Sequence, residues 1–275
     1  MLRPMFEHVP PVRWLALVLL GLRQQGEVVL DGDTFSVAPR DFGVTLELHA
    51  TGGYEEGTRR FCFEYLKPGM TFIDIGAHVG LYSVPAARRV GPAGRVLAFE
   101  PDDINRAMLQ QNIQRNGVEG VEVFSCGICD RDGRLPFHRS EFNSGDHQLF
   151  HEGRGRRSHE IEVARLDSVL QRTGGPVHLV KMDVQGAEAR VLAGMEQVFA
   201  ANHAMALIVE LSPWMLRDIG DDPRDLLDGL VGQGFELGTI DEATGRIEPG
   251  DAEVVLSRCV DSSYLNVRCL RGAGP

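Results

Sequence analysis

One short stretch, residues 71–80, constrains the fold of this chain more than any other part of the sequence. It is a run of β-branched and aromatic residues that follows Pro68 and Gly69 and ends in Gly76 and Gly80. This pattern predicts a buried strand, a tight turn and a helix that begins near Gly80. Glycines let the backbone approach a ligand where a Cβ would collide, and the free amides at a helix start point into the same space. The stretch therefore predicts a small polar ligand at the turn.

Two carboxylates indicate which ligand this is. Asp74 stands just before the first glycine of the turn, where its charge suits an ammonium group and repels a pyrophosphate. Glu100 ends the next apolar run, residues 94–101, where the hydroxyls of a ribose would lie in a doubly wound sheet. An acid for an amino group and an acid for a ribose predict S-adenosyl-L-methionine. A dinucleotide site would need glycines where His78 and Leu81 stand, so we disfavour a nicotinamide-dependent oxidoreductase.

The adenine end of the same ligand is predicted beyond the third strand. Cys126 and Gly127 follow that strand, and Gly127 would admit the ring because it has no side chain. An ordinary strand-end turn is the alternative interpretation of this pair. The residues predicted to bind the cofactor are Asp74, Gly76, Ala77, His78, Gly80, Glu100, Pro101, Cys126 and Gly127.

Charge and cysteine content narrow the classes of partner. The formal net charge of -11 argues against a surface that neutralises phosphates, so we expect neither nucleic acid nor an anionic membrane. Residues 14–22 are apolar but far fewer than the ~20 residues that span a bilayer. We expect them to pack on the core or on a second subunit, as the interface of a homodimer. Cys126 and Cys129 form a C-x-x-C without a second pair, so we expect no metal site and reduced thiols in a cytoplasmic protein.

From residue 71 onward, strand and helix patterns alternate, which predicts a doubly wound α/β sheet. A hairpin around Gly32 and two helical segments precede this alternation. We therefore expect an N-terminal helix, hairpin and helical cap over residues 1–66 and a cofactor-binding domain over residues 67–275, together one compact unit. Strands are predicted near 71–75, 95–99, 121–125, 177–183 and 204–211, and helices near 80–90, 102–116 and 187–200.

An excursion interrupts the alternation between the third and fourth predicted strands. Residues 134–138 and 160–164 are expected to pair as strands, which leaves the polar loop 139–147 beside the cofactor. Residues 235–240 and 264–270 predict the last two strands, an antiparallel pair.

Four ionisable residues are candidates for catalysis. Lys181 and Asp183 are two residues apart at the end of the fourth predicted strand, so they face the same side of the sheet. Ligand crevices in open α/β sheets lie beyond the carboxyl ends of strands, although a structural ion pair is the alternative. Glu210 ends the adjacent apolar run, where pinning a loop is as consistent as catalysis. His147 in the polar loop is a candidate proton acceptor, although a solvated loop histidine is commoner.

An ordered set of motifs resembles the FkbM-like family of S-adenosylmethionine-dependent methyltransferases. The set comprises residues 39–41, 53–55, 67–69, 74–80, 98–101, 143–145 and 181–188. The resemblance covers nearly the whole chain from about residue 27. It implies a class I methyltransferase fold, a mostly parallel, Rossmann-like seven-stranded sheet with helices on both faces and an antiparallel last strand. It further implies substrate contacts at Tyr54, Glu55, Asn143 and Ser144.

Two positions depart from the pattern of that family, because His78 stands where asparagine is usual and Gln185 where glutamate is usual. The resemblance implies methylation of a hydroxyl on a sugar, a polyketide or another small metabolite in natural product biosynthesis. We hypothesise that Lys181 holds the developing oxyanion while Asp183 or Glu210 receives the proton. Methylation at nitrogen or carbon on the same scaffold, and a binding module without catalysis, remain the alternatives.

Overall fold

The computed structural model describes residues 26–38, 41, 43–140, 143–145, 147, 149, 157–259 and 264–272. The predicted N-terminal helix with its dimer contact, and parts of the polar loop 139–147, lie outside the described residues. Among the helices that are described, none combines the length and the apolar character that a membrane span requires.

The strands agree closely with the alternation read from the sequence. They are β1 (Glu27–Leu30), β2 (Asp33–Ser36), β3 (Thr71–Ile75), β4 (Arg95–Phe99), β5 (Val121–Phe124), β6 (Gly127–Ile128), β7 (Gly133–Arg139), β8 (Arg157–Ala164), β9 (Leu179–Met182), β10 (Met205–Leu211), β11 (Glu236–Ile240), β12 (Ile247–Pro249) and β13 (Leu265–Arg271).

The helices are shorter and more numerous than predicted. They are α1 (Val44–Thr51), α2 (Glu56–Tyr65), α3 (Ser83–Val90), α4 (Asp103–Arg115), α5 (Leu166–Thr173), α6 (Glu188–Ala193), α7 (Glu196–Ala201), α8 (Pro213–Asp218), α9 (Pro223–Gly232) and α10 (Ala252–Arg258). The helix predicted over 187–200 is interrupted between α6 and α7. Gly194 in that gap lies so close to the Cys129 carbonyl oxygen that a Cβ would overlap it.

The central sheet has the strand order β12-β11-β13-β10-β9-β3-β4-β5. The strands β5, β4, β3, β9 and β10 run parallel, whereas β13 is antiparallel to both β10 and β11. This doubly wound, mostly parallel sheet confirms the predicted fold class, that of the class I methyltransferases. The prediction of seven strands is corrected to eight, because β12 pairs with β11 and extends the edge of the sheet.

The side chains of the central strands point alternately into two separate hydrophobic cores, one on each face of the sheet. Ile73 and Ile75 of β3 pack into the layer of α5 to α10, whereas Phe72 packs against α2 and α3 on the other face. By the period of two residues in a strand, Asp74 shares the face of Phe72. Lys181 lies beside Asp74 in the ladder between β3 and β9, so both face α2 and α3. The polar residues Asp74 and Lys181 therefore face the layer that is formed by α2 and α3.

The N-terminal hairpin and α1 pack on the central domain. Asp31 and Gly32 both have positive φ angles, of 52° and 87°, as a tight two-residue hairpin turn requires. Asn112 of α4 donates to the Ser36 carbonyl at 3.0 Å and accepts from the Ser36 amide at 2.7 Å. The side-chain amide of Asn112 therefore pairs with the backbone of Ser36 and joins the hairpin to α4. The domain boundary at residue 66 stays a prediction.

The excursion forms a small second sheet of order β6-β8-β7. The predicted pairing of its two long segments is confirmed, since β7 and β8 are antiparallel, with Leu135 opposite Ile161. The short strand β6 joins β8 in parallel and carries Gly127. This sheet brings the start of the polar loop to the carboxyl end of the central strands.

We expect Gly76→Ala to lower the free energy of unfolding by about 1–3 kcal/mol, because the residue has a φ of +82°. Its Cβ would also overlap the carbonyl oxygen of Asp183. The matched control is Gly229→Ala inside α9, where a Cβ meets no atom within 4 Å and alanine should stabilise by about 0.5–1 kcal/mol. Urea unfolding of both variants measures the difference, and equal stabilities would contradict the assigned backbone strain.

Candidate active site

A cleft of about 670 Å³ opens at the carboxyl ends of β3 and β4. It lies where the sequence predicted the cofactor, between the glycine turn after β3, the second sheet and the residues that follow β9. The predicted site residues that line it are Tyr54, Gly76, His78, Glu100, Pro101, Gly127, Ser144, His147 and Asp183. The predicted site residues outside its lining are Glu55, Asp74, Ala77, Gly80, Cys126, Asn143, Lys181 and Glu210.

The glycine turn shapes the cleft through missing side chains, and the amides of both its glycines are bonded within the protein. The amides of Gly76 and Ala77 both donate to the Phe99 carbonyl at 3.0 Å, and that of Gly80 donates to Ala77 at 2.8 Å. The helix α3 begins at Ser83, so the prediction of a helix start near Gly80 with amides aimed at the ligand is corrected. Gly80 has a φ of +92°, and its Cβ would lie 2.7 Å from Leu109 Cδ1.

Glu100 is the acid on the wall of the cleft. Its Oε2 accepts from the His78 amide at 2.8 Å and its Oε1 from the Asp102 amide at 2.8 Å. Burial raises the pKa of Glu100 to about 8, although these two amides act in the opposite direction. Each oxygen can accept a further hydrogen bond, so the carboxylate is able to receive two hydroxyl donors from a ribose. This chemistry and the side-chain-free turn fit the predicted cofactor.

Asp74 lies behind the cleft. Its Oδ2 accepts from the Ser83 hydroxyl at 2.6 Å, which ties β3 to the first residue of α3. Burial raises the pKa of Asp74 to about 6, and the Lys181 ammonium limits that rise. Its contact with an ammonium group of the cofactor stays a prediction, since the side chain is 1% exposed.

The wall of the cleft at the predicted adenine end is apolar. Phe99 lines it and stacks on Phe124, with ring centroids 4.7 Å apart. Ile128 and Gly127 complete this wall, whereas Cys126 is only half-buried and does not line it. An apolar wall with a stacked ring pair suits the flat face of a purine.

Lys181 does not reach the cleft, contrary to the prediction. Its Nζ lies 3.6 Å from Asp183 Oδ2 and 3.8 Å from Glu55 Oε2, above the ring of Tyr82. Burial lowers the pKa of this ammonium, but Glu55, Asp183 and Glu210 outweigh burial and raise it, so Lys181 stays charged. Asp183 therefore lies between Lys181 and the cleft.

Glu55 is also placed away from the predicted substrate. Its Oε2 accepts from the Tyr82 hydroxyl at 2.6 Å and its Oε1 from the Asn266 amide at 3.1 Å. The residue has a φ of 42° immediately before α2, and its side chain is 3% exposed. These contacts favour a role in holding Lys181, and a direct substrate contact of Glu55 stays a prediction.

Gln185 joins the two remaining acids at the strand ends. Its Nε2 donates to Asp183 Oδ1 at 2.8 Å and to Glu210 Oε1 at 2.7 Å. Burial, followed by the charges of Asp183 and Glu55, raises the pKa of Glu210 well above its usual range. Of the two acids that Gln185 joins, Asp183 lines the cleft and Glu210 does not.

The loop residues are held by the protein itself. Ser144 contacts three elements, since its Oγ lies 2.8 Å from His78 Nε2, its amide donates to Asp41 and its carbonyl accepts from Asn105. Asn143 Oδ1 accepts from the Gly145 amide at 3.0 Å, the turn-forming contact that competes with its predicted substrate role.

His147 accepts a hydrogen bond from the Ser140 amide at Nδ1, over 3.1 Å. Its Nε2 lies 3.7 Å from the Asp102 carboxylate. With Nδ1 occupied by a donor, the neutral ring carries its proton on Nε2 and has no free lone pair. This geometry disfavours the predicted role of His147 as a proton acceptor.

Sequence reasoning missed several residues of the cleft. Asn105 was not considered, although it lies in the helix that directly follows Glu100 and Pro101. Gln185 was noted only as a departure from a family pattern, and its position between two acids at the strand ends was the available signal. Val44, Phe137 and Leu149 also line the cleft, but they approach it from distant segments and carry no local signal.

Comparison with known proteins identifies similar chains. Residues 74–237, more than half of the 275, match the family model described as Methyltransferase FkbM domain. The methyltransferase sdnD of Sordaria araneosa is 30% identical over 177 residues, 52% of this chain and 68% of that protein. The 2-O-methyltransferase NoeI of Sinorhizobium fredii is 30% identical over 147 residues, 46% of this chain and 58% of that protein.

A third relative is the 31-O-demethyl-FK506 methyltransferase FkbM of Streptomyces tacrolimicus. It is 30% identical over 161 residues, which are 48% of this chain and 61% of that protein. The chain thus matches between 58% and 68% of the length of these three curated relatives.

Proposed function

The chain belongs to the FkbM family of S-adenosylmethionine-dependent methyltransferases, and we propose that it methylates a hydroxyl oxygen of a small metabolite. The observation that carries this proposal is the juxtaposition of Glu100 with the carboxylate of Asp183 in one cleft. Two of the similar proteins are named as O-methyltransferases, 2-O-methyltransferase NoeI and 31-O-demethyl-FK506 methyltransferase FkbM, which supports oxygen as the acceptor atom.

On the cofactor side, Glu100 accepts hydrogen bonds from the ribose, and Gly76 leaves room for the backbone of the cleft to approach the ligand. Phe99 and Gly127 contact the adenine. When bound, S-adenosylmethionine supplies a methyl group that is already activated by the positive charge on sulfur. The protein therefore has to align the acceptor and to accept its proton.

On the acceptor side, Asp183 would accept the proton of the hydroxyl as the oxygen–methyl bond forms and the sulfur–methyl bond breaks, which leaves S-adenosylhomocysteine as the second product. Asp183 lines the cleft, and the Gln185 amide and the Lys181 ammonium orient its two oxygens. Lys181 acts through Asp183 and is a positioning residue. Tyr54 and Ser144 line the same cleft and are the proposed acceptor contacts, with Glu210 adjacent.

Calorimetric titration tests the cofactor, and a screen with methyl-labelled S-adenosylmethionine tests the acceptor. We expect S-adenosylhomocysteine to bind and NAD not to bind, because His78 and Leu81 replace two glycines of the dinucleotide fingerprint. Label transferred to hydroxylated metabolites, and lost when the hydroxyl is blocked, supports O-methylation. Label found only on amines or on carbon would overturn the assignment of oxygen.

We expect the affinity for S-adenosylhomocysteine to rise between pH 6 and pH 9. An ionised carboxylate is the stronger hydrogen-bond acceptor, and Glu100 loses its proton near its raised pKa of about 8. Stability should change in the opposite direction, because a carboxyl whose folded pKa is raised stabilises the fold below its unfolded pKa and loses this contribution as pH rises through the folded value. Calorimetry across this window measures the affinity, and a pH-independent affinity in Glu100→Gln is the matched control.

A further inference from the structure

Carboxylates outnumber cations at the strand ends beside the cleft. Lys181 lies within 4 Å of Glu55 and Asp183, at 3.8 and 3.6 Å. Glu210 is the third acid of this group, and among the described residues it is bound by the Gln185 amide and by no cation. One ammonium therefore faces four carboxyl groups, because Asp74 on the neighbouring strand also acts on Lys181. Of these, Glu55 already accepts two hydrogen bonds from neighbouring side chains.

Gln185 holds two of these carboxyl groups together beside the cleft. Its single amide nitrogen donates to both Asp183 and Glu210, which holds these two acids on either side of one side chain. The backbone of Gln185 adopts a φ of 51°, in the left-handed region that β-carbon-bearing residues rarely occupy. Asp183 and Gln185 line the cleft directly. Of the two acids Asp183 thus faces the cleft, and Glu210 is joined to it through the Gln185 amide.

The connectivity of the cofactor places a positive charge opposite this pair. With the ribose on Glu100, the sulfur attached to the ribose C5′ must lie farther along the cleft. Glu100 follows β4 and the predicted adenine wall follows β5, so the sulfur lies toward β3 and β9 in the strand order. The residues after β9 that line the cleft include Asp183 and Gln185, and a Cβ on Gly76 would overlap the Asp183 carbonyl. In S-adenosylmethionine the sulfur is cationic, whereas in S-adenosylhomocysteine it is a neutral thioether.

Resting on the proposed function, we propose that Asp183 and Glu210, held together by Gln185, discriminate the charged donor from its neutral product. The two acids attract the sulfonium, and the attraction disappears when the methyl group leaves. The product is then held only by its adenine, ribose and amino-acid contacts. This recognition of charge favours the replacement of bound S-adenosylhomocysteine by another molecule of S-adenosylmethionine.

The number of protons released on ligand binding gives a second way to test the proposal. Glu210 faces the carboxylates of Asp183 and Glu55 and the ammonium of Lys181, and burial with these acids raises its pKa well above the usual range. The phenols Tyr54 and Tyr264 also interact with it. A cation in the cleft lowers the pKa of Glu210 and drives off its proton. Binding of S-adenosylmethionine should therefore release more protons than binding of S-adenosylhomocysteine.

Calorimetric titration of the whole chain with both ligands tests the proposal without any acceptor. We expect the wild type to bind S-adenosylmethionine about tenfold more tightly than S-adenosylhomocysteine, from a Coulomb attraction near the protein surface. In Glu210→Gln and Asp183→Asn this ratio should fall by about threefold or more, because each variant removes one carboxylate at unchanged volume. Glu122→Gln on β5 is the matched control, since it removes an exposed carboxylate that does not line the cleft and should leave the ratio unchanged.

Titrations in buffers of different ionisation enthalpy count the protons released by the wild type at pH 7. This measurement decides the question even if a variant fails to fold. Equal or tighter binding of S-adenosylhomocysteine together with equal proton release would overturn the proposal and leave the proposed methyl transfer intact. Failure of both ligands to bind would instead refute the cofactor assignment itself.

Discussion

Replacing Glu100 with alanine is expected to weaken the binding of S-adenosylhomocysteine by about 100-fold or more. Above its pKa of about 8 Glu100 is ionised and accepts from two ribose hydroxyls. A hydrogen bond to a charged group contributes about 1.5–3 kcal/mol, so at such a pH the loss of both corresponds to roughly two to four decades in affinity. The variant also frees the amides of His78 and Asp102, which Glu100 binds at 2.8 Å. Calorimetric titration measures the change.

The matched control for this variant is Glu122→Ala. Glu122 lies on the neighbouring strand β5, and its carboxylate is half-exposed beside Arg95. Its removal changes the net charge by the same amount, and we expect less than about a twofold effect on affinity. Thermal unfolding of both variants separates loss of the site from loss of the fold. A folded Glu100→Ala protein with normal affinity would remove Glu100 from the cofactor site.

The second large effect is expected from Asp183→Asn, which should lower kcat by about 100-fold or more on an acceptor found by the labelling screen. General-base catalysis contributes roughly 10²–10⁴-fold, and asparagine cannot accept the proton. The affinity for S-adenosylhomocysteine should stay near the wild-type value, because the neutral product has no charge to lose. Steady-state kinetics and calorimetry on the same preparation give the two quantities.

Lys181→Met distinguishes positioning from a purely structural ion pair. The variant leaves the buried carboxylate of Glu55 without its cation, so we expect a destabilisation of about 3–5 kcal/mol. If Lys181 positions Asp183, the pH profile of kcat should also shift, because the variant removes the ammonium that lies 3.6 Å from the Asp183 carboxylate. An unchanged profile in a folded variant would leave Lys181 a structural role alone. Full turnover by Asp183→Asn would make Glu210 the next candidate for the base.

Local sequence determined the framework of this protein. The strands predicted at 71–75 and 95–99 agree with β3 and β4, because buried parallel strands consist of uninterrupted apolar runs bounded by turn residues. The hairpin around Gly32 and the pairing of the last two long strands also followed from local patterns. Gly76 and Glu100 could be identified for the same reason, since each ends such a run.

The tertiary structure alone decided what each side chain does at the strand ends. The period of two correctly placed Lys181 and Asp183 on one face, but it could not reveal that Glu55 and Tyr82 cover Lys181. Asn266 reaches Glu55 across 211 positions of the chain. Hydrogen bonds and ion pairs between such distant segments determine which polar groups are buried and which face the cleft. No local pattern encodes them, because they exist only after the sheet and the helical layer have packed together.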